Sequence, residues 1–344
     1  MKIPTSRLIY QRSVASIGVV NNLILIVLIV FKSPKQLGYY KYLMSYISIF
    51  EILYSTLDFV SAAEIYSNDS LFVVILHKNL AILSDGLLKY ANLAFCSLFG
   101  MSMVILAIHF VYRYLIILGS GFLRKRHFQK VLSFIGFTVI VGFLWALSMY
   151  WFLNNNVYSD IVLKKDYLAP RHLNLSDIDY VGAHFWQIDG NGAEFINWKS
   201  IGAVAIMTVI IFISFSTVFY CGYQIYTRME IMSSIQSAGS KNLQSQLFWA
   251  LVFQTLIPVL LMHIPASIGF ITSMFNQTNQ FLGEVVTYSI FMYPALDPLP
   301  NFFIIKSFRQ AILDFLGCLR KGIAPANSKN TNSQKQNSAQ VDQN

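Results

Sequence analysis

The chain has 344 residues, of which 55% are hydrophobic, 15% aromatic and only 12% charged. Soluble domains carry about 25% charged residues, so a water-soluble fold of this size is excluded. The net charge of +9 then fits basic loops facing anionic lipid rather than nucleic-acid binding.

A helix crosses the hydrocarbon core with roughly 20 apolar residues. Apolar runs predict seven spans, over residues 14–31, 42–65, 83–118, 131–152, 201–226, 248–274 and 285–305. The expected organisation is an outer amino-terminal segment at 1–13 and a bundle at 14–305. An amphipathic helix follows at 306–321, then a polar, disordered tail at 322–344. The fold class is all-α, a seven-span bundle with a short cytoplasmic helix on the membrane surface. Phe308, Ile312, Phe315, Leu316 and Leu319 recur there at helical spacing among basic residues.

Basic residues set the direction. Lys32, Lys35 and Lys41 follow the first span, Arg124, Lys125, Arg126 and Lys130 the third, and Arg228 and Lys241 the fifth. Lys306, Arg309, Arg320, Lys321, Lys329 and Lys335 follow the seventh. These segments are expected inside, and the amino terminus outside. Three glycosylation sequons, at Asn68, Asn174 and Asn276, all fall in the loops expected outside. The long loop between the fourth and fifth spans also lies there, where it can cap a ligand pocket. Cys318, at the end of the surface helix, is a lipidation candidate.

Polar residues inside spans are costly and face the bundle interior. Asn21 and Asn22, Glu51 and Asp297 stand at similar depths and are expected to meet as a buried polar cluster, around water or a cation. Arg113 closes the third span after Tyr112 and is expected to hold the inner helix ends together at rest. Pro258 and Pro265 interrupt the sixth span, and Pro294, Pro298 and Pro300 the inner end of the seventh. Each removes a backbone donor and bends its helix.

In the outer halves, residues spaced along the third span put Asn92, Phe95, Phe99 and Ser102 toward the interior. Asp58, Phe212, His263, Tyr288 and Phe291 are the candidates on other spans. Neither a metal-ligand spacing, a nucleophile elbow nor a nucleotide-binding loop occurs, so neither enzyme activity nor a cofactor is expected.

The stretches 37–44 (LGYYKYLM), 109–114 (HFVYRY), 219–223 (FYCGY), 243–251 (LQSQLFWAL), 254–258 (QTLIP) and 293–298 (YPALDP) together resemble the nematode Str-type seven-transmembrane G-protein-coupled chemoreceptors. The resemblance covers nearly everything except the tail. It implies a plasma-membrane receptor of sensory cilia, activated by an odorant or other small molecule and signalling to a heterotrimeric G protein. By motif, Arg113 is its inner-end arginine, and Pro258 and Asp297–Pro298 its bend elements. The chain departs from the common rhodopsin-like pattern at three places. Tyr112 replaces an acid before Arg113, no cysteine at the outer end of the third span tethers the long outer loop, and the seventh-span motif lacks its tyrosine. An alternative reading is a ligand-gated cation channel of the insect odorant-receptor type, with inverted topology. A transporter is a third, with little beyond Glu51 and Asp58 to line a path and no internal repeat to support it.

Overall fold

The computed structural model describes residues 5–119, 127–232 and 238–323. Arg124, Lys125 and Arg126 of the predicted basic loop lie outside the described residues, as do Lys329, Lys335 and the predicted disordered tail from 324 onward.

The described chain is a helical bundle. The first three spans are α1 (Thr5–Lys32), α2 (Tyr40–Ser61) and α3 (Asp85–Ile117), and the fourth is α4 (His127–Phe152). A short α5 (Val157–Val162) belongs to the long loop, and α6 (Trp198–Met232) is the fifth span. The sixth consists of α7 (Ala238–Pro258), a π-helical turn at Val259–His263 and α8 (Ile264–Met274). These six crossings are the described segments long and apolar enough to span a membrane as single stretches. The seventh is split into α9 (Gln280–Leu296, 17 residues) and α10 (Leu299–Ile304), followed by α11 (Lys306–Ile323).

The sequence dictates which face each helix buries. In α1, Ala15, Gly18, Asn22, Leu25 and Ile29 recur at three- and four-residue steps and are buried. Val20, Leu23, Val27 and Val30 expose the opposite flank. A small inward stripe and an apolar outward one are what a helix between protein and lipid requires. Helix α3 runs through the centre, packed on α2, α4, α6 and α7.

The helix α1 starts at Thr5, so most of the segment expected to precede the first span is its opening turns. Helix α2 stops at Ser61, because Ala62 takes a left-handed conformation with φ of 51°. Beyond it lies a three-stranded antiparallel sheet in the order β1 (Glu64–Asn68), β2 (Leu71–His77), β3 (Ile178–His184). Glu64 pairs with Ile75, and Leu71 with His184. A second ladder pairs β4 (Trp186–Ile188) with β5 (Glu194–Ile196).

Strand β2 is buried on both faces. Phe72, Val74 and Leu76 face the bundle core, and Leu71, Val73 and Ile75 pack with Tyr66, Tyr167 and Ile178 on the other side. Each such side chain contributes about 1.5–3 kcal/mol through burial, so the sheet is a lid bonded into the bundle. The tip of the β1–β2 hairpin is pinned to the loop before α9, where Asp69 and Thr278 exchange backbone hydrogen bonds of 3.1 and 3.2 Å.

Candidate functional site

Three polar assemblies and one apolar chamber run down the bundle from the sheet. The first assembly ties the sheet to the helices. Glu64 pairs with Arg7 of α1, and the Tyr167 hydroxyl donates to it at 2.8 Å, with His77 Nε2 3.3 Å away. Burial pushes the Glu64 carboxyl up, but His77 and Arg7 outweigh that and bring it down to about 2. On α3, Asn92 Nδ2 donates to Val74 O at 3.2 Å and to Asp179 Oδ2 on β3 at 3.1 Å. The long loop is thus held to the third span by the Asn92–Asp179 hydrogen bond, and the β1–β2 hairpin by the Asn92–Val74 one.

Directly under the sheet lies the chamber. Phe72, Val74 and Val181 of the strands roof it, Phe95, Cys96 and Phe99 of α3 form one wall, and Trp145, Met207, Ala266 and Phe270 form others. It is narrow, about 60 Å³. It adjoins a cleft of about 580 Å³ between α6 and α8, and shares Phe99, Trp145, Met207, Ala266 and Phe270 with it. Two glycines permit the close roof. A Cβ on Gly182 would overlap the backbone of Phe72 and Val73, and one on Gly269 would overlap the Phe72 ring. In the wall of the cleft, His263 Nε2 stands 3.1 Å from Ser102 Oγ, with the Phe99 ring, shared with the chamber, 4.8 Å from the imidazole. Among the described residues, no charged side chain lines the chamber or the cleft.

A polar core lies deeper. Asn21 Nδ2 donates to Ala295 O at 2.8 Å, and Asn22 Nδ2 to Pro294 O at 3.1 Å. Gln254 Nε2 donates to Asp297 Oδ2 at 2.5 Å, and Asn301 Nδ2 to Gln254 Oε1 at 3.3 Å. Glu51 faces Asp297 and Asn22 in the same site and is 1% exposed. The structure therefore brings Asn21, Asn22, Glu51 and Asp297 together and adds Gln254, Asn301 and Tyr293. In a continuous helix the Pro294 carbonyl would accept from the residue four positions on, but Pro298 has no N–H to give, and Asn22 supplies that donor instead.

At the end of the bundle opposite the sheet, buried Arg113 donates through Nη2 to Gln244 O and Gln244 Oε1, both at 3.0 Å. Its guanidinium lies 5.3 Å from the Tyr40 ring, which stacks on Tyr112 at 5.8 Å. This latch joins the third span to the sixth without an acidic partner. Next to it, Gln246 Oε1 accepts from Lys306 N at 2.8 Å, which ties the sixth span to α11. Pro258 ends α7, Pro265 sits in the first turn of α8, and Pro298 follows Asp297 at the break between α9 and α10. A π-helical turn at Val259–His263 lies between the first two and changes the hydrogen-bond register of the sixth span there.

Several predicted ligand residues stand elsewhere. Phe212 is 69% exposed and points away from the bundle. Asp58 accepts from Gln11 of α1 at 2.7 Å and does not line the chamber. Asn92 belongs to the loop tether. Tyr288 packs on Tyr10 at 5.3 Å, with Phe291 beside it, and Ile290 lines the chamber in their place. Asn68, Asn174 and Asn276 all lie at the sheet-bearing end, Asn174 and Asn276 exposed and Asn68 half-buried. Cys318 is exposed. Among the described residues, no group of histidines, cysteines and acids could hold a metal ion.

Residues 7–313 match the family described as serpentine-type seven-transmembrane GPCR chemoreceptor Str. The chain belongs to that family. It is 33% identical over 310 residues to the G-protein coupled receptor str-217 of Caenorhabditis elegans, covering 89% of this chain and 88% of that one. It is 32% identical over 287 residues to the serpentine receptor class r-10 of the same organism, covering 82% and 83%. Squid rhodopsin superposes with a TM-score of 0.59 over 91% of this chain and 82% of its own, at 13% identity, and so shares the fold. The chain is accordingly a multi-pass membrane protein of a receptor family, which gives the channel and transporter readings no support.

Proposed function

We propose that this receptor sits in the plasma membrane of a sensory cilium with its amino terminus and sheet outside. It binds an odorant or similar small molecule in the chamber under the sheet and signals to a heterotrimeric G protein at the opposite end. The observation that carries this reading is that the same two spans hold both ends of the path. The third span and the sixth meet at Ser102 and His263 beside the chamber, and again at Arg113 and Gln244. A ligand that separates His263 from Ser102 shifts the sixth span at the π-helical turn, and the bias passes to the latch. The differential contact a ligand makes in the two states supplies the shift in population.

Pockets of this kind are mostly apolar with a few placed polar groups, which describes the chamber together with the adjoining cleft, whose wall carries His263 bonded to Ser102. The placement of all three sequons at the sheet-bearing end supports an outside sheet, and the exposure of Cys318 suits lipidation at the inner face. The test is expression in a cell carrying a calcium or cyclic-nucleotide reporter, screened against volatile and water-soluble compounds. His263→Ala and Phe99→Ala should each raise the half-maximal concentration of any activating compound. If both leave the dose-response of surface-expressed receptor unchanged, the site lies elsewhere.

A further inference from the structure

We propose that ligand enters the chamber sideways, from within the bilayer, through the cleft between α6 and α8. The receptor then takes uncharged, membrane-partitioning small molecules. This rests on reading the chamber as the ligand site, and it adds the route and the ligand class.

The direct route from water is closed. Strands β2 and β3 lie across the top, with Phe72, Val74 and Val181 4%, 9% and 5% exposed. On the far side of the sheet is a polar hollow whose lining includes Asp69, Lys165, Asp166 and Glu194. An apolar compound gains nothing there, and a charged one would meet no partner beyond the roof, where unpaired charge is strongly disfavoured.

The lateral route is open. Helix α6 packs along α7, but it makes almost no direct contact with α8 beyond the π-helical turn. Thr208 and Val209 on α6 and Ser267 and Ile271 on α8 edge the resulting cleft, and all four are exposed. Around it, α6 turns out Ile206 and Ile213, and α8 turns out Ile264 and Ile268. An exposed apolar belt on spanning helices is a lipid-facing surface, so the mouth of the cleft opens into hydrocarbon. Behind the mouth, Met207, Ala266 and Phe270 are common to cleft and chamber. The Ser102 hydroxyl donates to Phe99 O at 2.7 Å and so accepts from His263 Nε2, and with no charged side chain in the lining among the described residues no charge on the ligand is called for.

Native Cys96 lines the chamber and serves as the reporter. The full chain carrying Cys221→Ala and Cys318→Ser, reconstituted in lipid vesicles, is treated with benzyl methanethiosulfonate or with its charged, water-soluble trimethylammonium-ethyl analogue. Mixed disulfide at Cys96 is followed by intact-mass spectrometry, with Cys96→Ser as the blank. The expected result is labelling by the benzyl reagent at least tenfold faster than by the charged one. Thr208→Trp should slow the benzyl reaction at least tenfold, and Ile271→Ala, which widens the mouth, should speed it. Three results would each overturn the proposal: equal rates for the two reagents, no benzyl labelling, or rates indifferent to both cleft variants. The assay needs neither agonist nor G protein. A failure of the route is therefore distinct from a failure of the chamber as ligand site, which the cell reporter detects.

Discussion

Gln244→Ala removes one of the two hydrogen bonds that Arg113 makes to the sixth span and leaves the other, to the Gln244 backbone carbonyl. A hydrogen bond to a charged group contributes about 1.5–3 kcal/mol, and Gln244 is half-buried, so the lower part of that range applies. A loss of about 1.5 kcal/mol from the resting state raises the active-to-resting ratio about tenfold, since about 1.4 kcal/mol corresponds to a factor of ten. The assay is basal reporter activity without added compound, normalised to surface receptor. Basal activity should rise up to tenfold, short of saturation. Unchanged basal output at normal surface level would refute the latch, and reduced output would show that Gln244 supports the active state instead.

Asp297→Ala leaves the Gln254 amide buried without its acceptor, at a cost of about 1–3 kcal/mol, whereas Asp297→Asn keeps an acceptor oxygen in place. Thermal unfolding in detergent should show a clearly lower midpoint for the alanine variant and a smaller change for asparagine. Asn92→Ala should free β3 from α3, and amide exchange in Leu71–His77 and Ile178–His184 should quicken while that of α3 holds. Burial lowers His184 to about 4, well below its ordinary 6.5. An unfolded chain thus binds the extra proton first, and stability falls as pH drops from about 6.5 toward 4. By pH 5 this loss is about 1–2 kcal/mol, and His184→Gln should flatten the slope of the unfolding midpoint across that window.

The spans were legible because runs near 20 apolar residues have few other uses. Their ends were less so. The helical pattern of α2 runs on through Ala62, Ala63 and Ile65 with Glu64 between them, and the left-handed turn at Ala62 marks where helix gives way to strand. The strand Leu71–His77 was invisible for a related reason. Buried on both faces, it reads as Leu-Phe-Val-Val-Ile-Leu without alternation, and its partner β3 lies about a hundred residues further along the chain. The third span yielded its inward face because Asn92, Phe95, Phe99 and Ser102 follow helical steps, although Asn92 serves the tether and Ser102 holds His263. On α6, apolar residues surround the helix, so periodicity could not tell Phe212, which faces outward, from Met207, which faces the chamber. The polar core was readable because buried polar residues in spans are few. The Gln254 contribution was not, since a lone glutamine beside a proline carries no depth information of its own.

The most direct test of the central claim, a ligand chamber coupled to a distant latch, fills the chamber and releases the latch in one chain. Ala266→Trp places an indole among Phe72, Phe99 and Phe270, and Gln244→Ala supplies basal activity that reports correct folding. In the reporter cell, the double variant should keep the raised basal output and lose its response to every compound that activates the wild-type receptor. A double variant whose half-maximal concentrations match those of Gln244→Ala alone would contradict the account.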